Sequence, residues 1–172
     1  DGGATPLYIA CQEGQLGCAR LLLEASAVVD KAKNTGATPL YIACQKGHVE
    51  ICRLLIEAHA AINQARPDGT TPLYIACQNG RLECARLLLG ASAAVNQAQD
   101  DGATPLYIAC QNGRLECVQL LLEAGVAVNE AKDGGFTPLF IACQEGHLEC
   151  AQLLLEASAS VGQADKDGVT PL

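Results

Sequence analysis

The chain has 172 residues and is 49% hydrophobic, yet it holds no Met, no Trp and only four Tyr and two Phe. That content is enough for a folded domain and argues against a disordered chain, with a core built from Leu, Ala, Ile, Val and Cys. Eleven bases against nineteen acids give a net charge of −8, which disfavours a nucleic-acid or anionic-membrane binder held by counterion release. No apolar run is long enough for a membrane-spanning helix.

No secretory apolar segment follows Asp1-Gly2-Gly3, and the missing initiator Met points to an internal fragment or a trimmed chain. From Thr5 onward the tripeptide Thr-Pro-Leu returns at Thr38, Thr71, Thr104, Thr137 and Thr170, each time after 33 residues. The stretches 71–80 and 104–113 both read TPLYIACQNG, and the other three copies differ only at the aromatic and at the residue before Gly. The repeat divides one domain, 1–172, into units of about 1–33, 34–66, 67–99, 100–132 and 133–165, with a partial sixth at 166–172.

Each unit parses the same way. In the third, Thr71 can cap a helix whose first position, Pro72, needs no N–H partner, and Leu73 to Cys77 form a short helix ended by Gly80. A second helix runs from about Leu82 to Ala91, with Leu87, Leu88 and Leu89 forming a broad apolar face. Val95-Asn96 and then Asp101-Gly102 follow, the latter a pair that favours a tight hairpin turn. One such unit cannot bury its own apolar stripe. Stacking on its neighbours does so, which makes the chain a one-dimensional solenoid.

The series Thr-Pro-Leu, Ala-Cys-Gln-x-Gly, Leu-Leu-Leu-Glu-Ala and Val-Asn at period 33 resembles the ankyrin repeat over essentially the whole chain. The resemblance implies an all-α solenoid of stacked helix-turn-helix repeats with projecting β-hairpin fingers. It further implies a concave binding face of fingers and first helices, and protein binding without a cofactor or chemistry of its own.

The chain departs from that pattern in three places. The position after Thr-Pro-Leu, usually His in the family, is Tyr8, Tyr41, Tyr74, Tyr107 and Phe140, read here as a packing ladder rather than a ligand stripe. After the second helix, where the family has Gly, stand Ser26, His59, Ser92, Gly125 and Ser158; a non-Gly residue held at positive φ costs on the order of 1 kcal/mol. The loop Asp of the family is replaced by Val28, Ala61, Ala94, Ala127 and Ser160, so weaker polar bonding is expected there.

Ten cysteines invite a metal or disulfide reading, but their positions repeat. Cys11, Cys44, Cys77, Cys110 and Cys143 end first helices; Cys18, Cys84, Cys117 and Cys150 lie in second helices, with Cys52 displaced by one. The spacing within a unit is not that of a zinc site, and equivalent cysteines in adjacent units are expected about 10 Å apart, too far for a disulfide. They read as reduced small hydrophobes in an intracellular, cytoplasmic setting, with no metal bound. His48 and His147 fall at equivalent positions about 30 Å apart, suited to capping or solvation, and His59 is alone in its loop. No catalytic elbow, zinc helix or phosphate loop occurs, so an enzyme is not expected. Glu50 with Arg53 and Glu83 with Arg86 stand at i, i+3, and Arg20 with Glu24 and Arg53 with Glu57 at i, i+4, each worth about 0.2–0.5 kcal/mol.

Recognition can reside only where near-identical units differ. The fingertips carry Asn34, Thr35, Asp68, Asp100, Asp101 and Asp133; Thr70 and Phe136 follow the turn glycines; Lys46, Asn79, Asn112 and Glu145 vary at the ends of first helices. Phe136 is the candidate apolar anchor, and the acids would select basic groups. Residues 87–172 hold eleven acids and three bases, whereas 1–86 hold eight of each, so the acidity belongs to the C-terminal half. The expectation is a protein-interaction module for a protein or peptide, with end-to-end self-association through uncapped terminal repeats. The other reading is a structural spacer or engineered scaffold without a natural ligand, favoured by the near-identity of the units but opposed by ten cysteines and the irregular Ile51-Cys52 pair.

Overall fold

The computed structural model of the chain describes residues 2–163 and 168. The expected sixth unit at 166–172 falls outside them apart from Gly168. The described residues form ten helices: α1 Pro6–Gln12, α2 Leu16–Glu24, α3 Pro39–Lys46, α4 Val49–Glu57, α5 Pro72–Gln78, α6 Leu82–Gly90, α7 Pro105–Gln111, α8 Leu115–Glu123, α9 Pro138–Gln144 and α10 Leu148–Glu156.

The Thr-Pro-Leu signal marks five helix starts. In each, the Thr hydroxyl accepts the amide of the third residue on, at 3.1 Å in every copy, and Pro takes the first helical position. Helix α3 ends at Gly47, whose φ of 82° is a left-handed cap open to glycine at little cost. First helices stack on one another in one layer, and each packs against its own second helix in the other. Leu7, Leu40, Leu73, Leu106 and Leu139 line the first layer, and Leu55, Leu88, Leu121 and Leu154 the second, all buried. The core is therefore one continuous seam running through the units.

The fingers are tighter than expected. Lys33, Arg66, Gln99 and Lys132 each donate an amide to the carbonyl four residues on, at 2.9–3.0 Å, but no β-strand occurs among the described residues. A five-residue turn closes one cross-chain pair and leaves no length for a ladder. Successive fingertips are joined by backbone bonds instead: Asn34 N–H to Gly2 O, Asp100 N–H to Asp68 O and Asp133 N–H to Asp101 O.

The helix-end residues behave as the geometry demands. Ser26, His59, Ser92 and Ser158 all have φ of 60–65°, beside 75° at Gly125. The loop that follows is better bonded than its missing Asp implied. Asp30 accepts the amide of Ala61, Asn63 that of Ala94, Asn96 that of Ala127 and Asn129 that of Ser160, at 2.8–3.0 Å. The acceptor comes from the preceding unit, so the bond ties units together instead of closing the loop on itself.

The two i, i+3 ion pairs form, Glu50–Arg53 at 3.7 Å and Glu83–Arg86 at 3.8 Å, both exposed. Arg20–Glu24 and Arg53–Glu57 do not pair among the described residues.

Candidate functional site

The surface along which the units differ is built on the N-termini of the first helices and on the fingers beside them. Because every first helix starts at the same capped Thr, the aromatic two residues after Pro falls at the same depth in each unit. Tyr8, Tyr41, Tyr74 and Tyr107 are buried as a row, and burial raises the pKa of all four hydroxyls, so they stay neutral.

Basic side chains from the following finger lie over this row. Lys33 stands 5.7 Å from the centroid of Tyr8, Arg66 5.5 Å from that of Tyr41 and Lys132 5.7 Å from that of Tyr107. Arg66 also donates to the Tyr41 hydroxyl at 3.2 Å. The repeated 33-residue register of Lys33, Arg66 and Lys132 was the available signal for these contacts, and sequence reasoning passed over it. In the fifth unit the aromatic is Phe140, and Phe136 meets it edge to face with centroids 5.0 Å apart. Phe136 is therefore half-buried against its own unit.

The acidic candidates divide by what they already touch. Asp68 accepts from the Thr70 amide at 3.0 Å and hydroxyl at 2.6 Å and pairs with Arg66 at 3.3 Å. Burial alone would raise its carboxyl, but the Thr70 bonds and then Arg66 outweigh it and hold the group below its usual range. Asp101 accepts from the Ala103 amide at 3.1 Å and pairs with Lys132 at 2.9 Å. It too lies low, burial being overcome by the Lys132 bond and the Ala103 amide. Both carboxylates hold their turns in shape, and Thr70 is buried beneath Asp68.

Asp100, Asp133 and Glu145 are exposed, as are Asn34, Thr35, Lys46 and Asn112. Asn79, half-buried, and Asn112 each donate a side-chain amide to the carbonyl four residues back, Ile75 and Ile108, finishing their helices. The structure thus gathers the candidates along fingers and helix ends, but it ties Asp68, Thr70, Asn79, Asp101 and Asn112 to local bonds and leaves three acids uncommitted by side-chain bonds.

His48 and His147 bridge units. Each ring Nε2 lies 3.2–3.3 Å from a carbonyl of the preceding unit, Gln12 O and Gln111 O. Arg81 and Arg114 donate equivalently to Gln45 O and Gln78 O. These are the ends of first helices, where carbonyls lack intrahelical partners and a donor or cation is favourable. No group of His, Cys, Asp and Glu among the described residues is arranged to hold a metal ion.

Eight cysteines are buried, and Cys18 and Cys143 are exposed. The expected separation of about 10 Å applies to equivalent cysteines of adjacent units, and Cys52, displaced by one position, stands outside that equivalence. Cys52 Sγ lies 3.6 Å from Cys44 Sγ in its own unit and 3.6 Å from Cys84 Sγ in the next. Displacement by one position turns Cys52 inward, to where the other units carry Ala19, Ala85, Val118 and Ala151.

The two ends of the stack expose apolar groups that inner units cover. Ile9 is 45% exposed, whereas Ile42, Ile75, Ile108 and Ile141 are at most 5%. A cleft of about 670 Å³ lies at that end, lined by Ala4, Pro6, Ile9, Cys18 and Leu22 among others. Leu148 and Leu155 are exposed in the last unit. No helix among the described residues is long and apolar enough to cross a membrane.

No curated protein matches the chain significantly. The family model for ankyrin repeats (3 copies) matches residues 1–66, 26–100, 59–132 and 92–166 in overlapping registers. With ten helices in five stacked pairs behind that match, the chain belongs to the ankyrin-repeat family.

Proposed function

We propose that this chain is a non-enzymatic binding module that holds a protein or peptide carrying basic groups against its fingers and first helices. Ankyrin repeats are in general protein-interaction modules, which supplies the coarse part of the reading. The observation that carries the finer part is the contrast among the fingertip acids. Asp68 and Asp101 are neutralised by Arg66 and Lys132, whereas the exposed Asp100, Asp133 and Glu145 make no side-chain bond among the described residues.

Three unneutralised carboxylates in the acidic half of the stack favour lysine- or arginine-bearing partners, mainly through steering and selectivity. Phe136, half-buried on Phe140 and three residues after Asp133, leaves part of its ring as an apolar contact. The buried free thiols fit a reducing, intracellular setting.

The test is titration of the chain with matched basic and neutral peptides at low and moderate salt. Basic peptides should bind more tightly, lose affinity as salt rises, and bind several-fold more weakly to the Asp100→Asn/Asp133→Asn/Glu145→Gln variant. Equal binding of both peptides, or of the basic peptide by chain and variant, would overturn the assignment of this surface.

A further inference from the structure

The sulfurs of Cys44 on α3, Cys52 on α4 and Cys84 on α6 form a trio that the binding reading does not use. Cys44 and Cys52 lie 3.6 Å apart, and the Cys52 thiol donates to Cys84 Sγ at 3.6 Å. A trio of this kind occurs once among the described residues. One unit further on Ala85 fills the place of Cys52, so Cys77 and Cys117 have no third sulfur between them. The three thiols are not a ligand set for a metal ion, and the chemistry left to adjacent thiols is oxidation.

The members are all buried and differ in field. Cys44 and Cys52 are both wholly buried and both thiols stay protonated. Cys44 is pushed up chiefly by burial; in Cys52 the lowering bond to Cys44 is outweighed by the bond to Cys84 together with burial. Cys52 is the one whose sulfur lies 3.6 Å from that of Cys84. Cys84 is itself 1% exposed, but its residue borders a surface cavity of about 220 Å³ also lined by Gly47, Val49, Arg81, Leu82 and Glu83, so an oxidant reaches its sulfur when this wall opens. Hydrogen bonds from Cys44 and Cys52 favour its thiolate most, opposed by burial and assisted by the nearby Arg81 and His48.

We propose that Cys84 is a site of oxidative modification by small hydroperoxides and that Cys52 resolves the product into a Cys52–Cys84 disulfide joining the second and third units. The Cys84 thiolate attacks the terminal peroxide oxygen, the O–O bond breaks, and the other oxygen leaves as hydroxide or alkoxide and takes up a proton to give water or an alcohol. Cys84 is then a sulfenic acid, oxidised by two electrons as the peroxide is reduced. Cys52 sulfur attacks that sulfur, the S–O bond breaks, and the hydroxyl departs as water with the Cys52 proton. The product fastens α4 to α6 across a junction otherwise held by packing and single hydrogen bonds.

Trypsin separates the three cysteines, because Lys46, Arg53, Arg81 and Arg86 place Cys44 in 34–46, Cys52 in 47–53 and Cys84 in 82–86. The full chain carrying Cys18→Ser and Cys143→Ser, which remove the exposed thiols, is treated with hydrogen peroxide, alkylated and digested without reduction. The main linked product should join 47–53 to 82–86. In a Cys52→Ala background, where Ala matches the first, third and fifth units, Cys84 should stop at a sulfenic acid trapped by a dione reagent. Arg81→Ala, in which the Cys84 peptide becomes 54–86, should slow its linkage to 47–53 several-fold, whereas Arg114→Ala, which removes the same bridging contact one unit further on, should leave the rate unchanged. A dominant link between 34–46 and 47–53, recovery of 47–53 and 82–86 unlinked, no trapped sulfenic acid on Cys84, or equal rates for the two arginine variants would each overturn the proposal.

Discussion

The carboxamide of Asn63 accepts the backbone amide of Ala94 at 2.9 Å, across the boundary between the second and third units. The same bond recurs from Asp30, Asn96 and Asn129, so a loop without an acceptor of its own is served by the unit before it. Asn63→Ala should lower unfolding free energy by about 0.5–1.5 kcal/mol, the worth of one such bond. Asn63→Asp should be close to neutral, because Asp30 already fills the role one unit earlier. Urea unfolding of the two variants checks this, and an Asp variant as weak as the Ala variant would refute the ladder's importance.

Ser92 sits at φ 64° with its helix ended behind it. Ser92→Gly relieves a left-handed conformation and should raise stability by up to about 1 kcal/mol, part of the gain being offset by the greater freedom of Gly in the unfolded chain. Gly125→Ala should have the opposite sign, since it places a Cβ at φ 75°. Thermal unfolding midpoints of both variants read the effect, and a fall for Ser92→Gly would show that the serine makes an offsetting contact.

Asp68 and Asp101 both have carboxyls held below their ordinary range in the fold. A depressed folded pKa means that the stabilisation is fully present above the unfolded pKa, near about 4, and is lost as pH falls through the folded value. Stability should therefore decline below about pH 4, and Asp68→Asn/Asp101→Asn should flatten that decline. Because the two side chains are 46% and 36% exposed, each should contribute less than about 1 kcal/mol. Denaturant midpoints measured from neutral to acid pH check the slope, and an unchanged slope in the double variant would remove these carboxylates from the account.

Phe136 of the finger packs edge to face with Phe140 of α9 inside the same unit. Phe136→Ala should cost about 0.5–1.5 kcal/mol for the aromatic contact alone, in addition to lost burial. Phe136→Leu should restore most of the burial without the ring geometry. Chemical unfolding distinguishes the two, and an Ala variant as stable as the parent would mean that the ring packs only when a partner covers it.

The exposed end faces repeat groups that inner units cover more fully, Ile9 at one end, whose inner counterparts are buried, and Leu148 at the other, whose counterparts Val49, Leu82 and Leu115 are half-buried. The inner junctions show what fits such a face: another unit of the same kind. Apparent mass by light scattering should rise with concentration, and Ile9→Lys or Leu148→Lys should reduce the rise. A monomer at every concentration would exclude end-to-end association.

A good deal of this was legible in the residues. Thr-Pro-Leu at a constant interval placed five helix starts, since a hydroxyl cap and a proline at the first position act locally and need no tertiary partner. The buried tyrosine row and the left-handed Ser26, His59, Ser92 and Ser158 follow from position within one unit. The tight turn at Asp101-Gly102 was legible too, but a turn signal in sequence does not say how many residues beyond it pair, and here no strand forms among the described residues.

The repeated sequence by itself determined the unit, its helices, its apolar stripe and hence the stack, because all of these rest on contacts within about one period of the chain. Only the tertiary structure decided which side chains cross from one unit to the next. Asn63 reaching Ala94, His48 reaching Gln12 and Cys52 meeting Cys84 are separated by 31, 36 and 32 residues, and their pairing depends on the angle and offset at which units stack. A shift of one residue, such as Ile51-Cys52, turns a side chain by a fraction of a helical turn and changes its neighbours across that junction, which periodicity alone does not reveal.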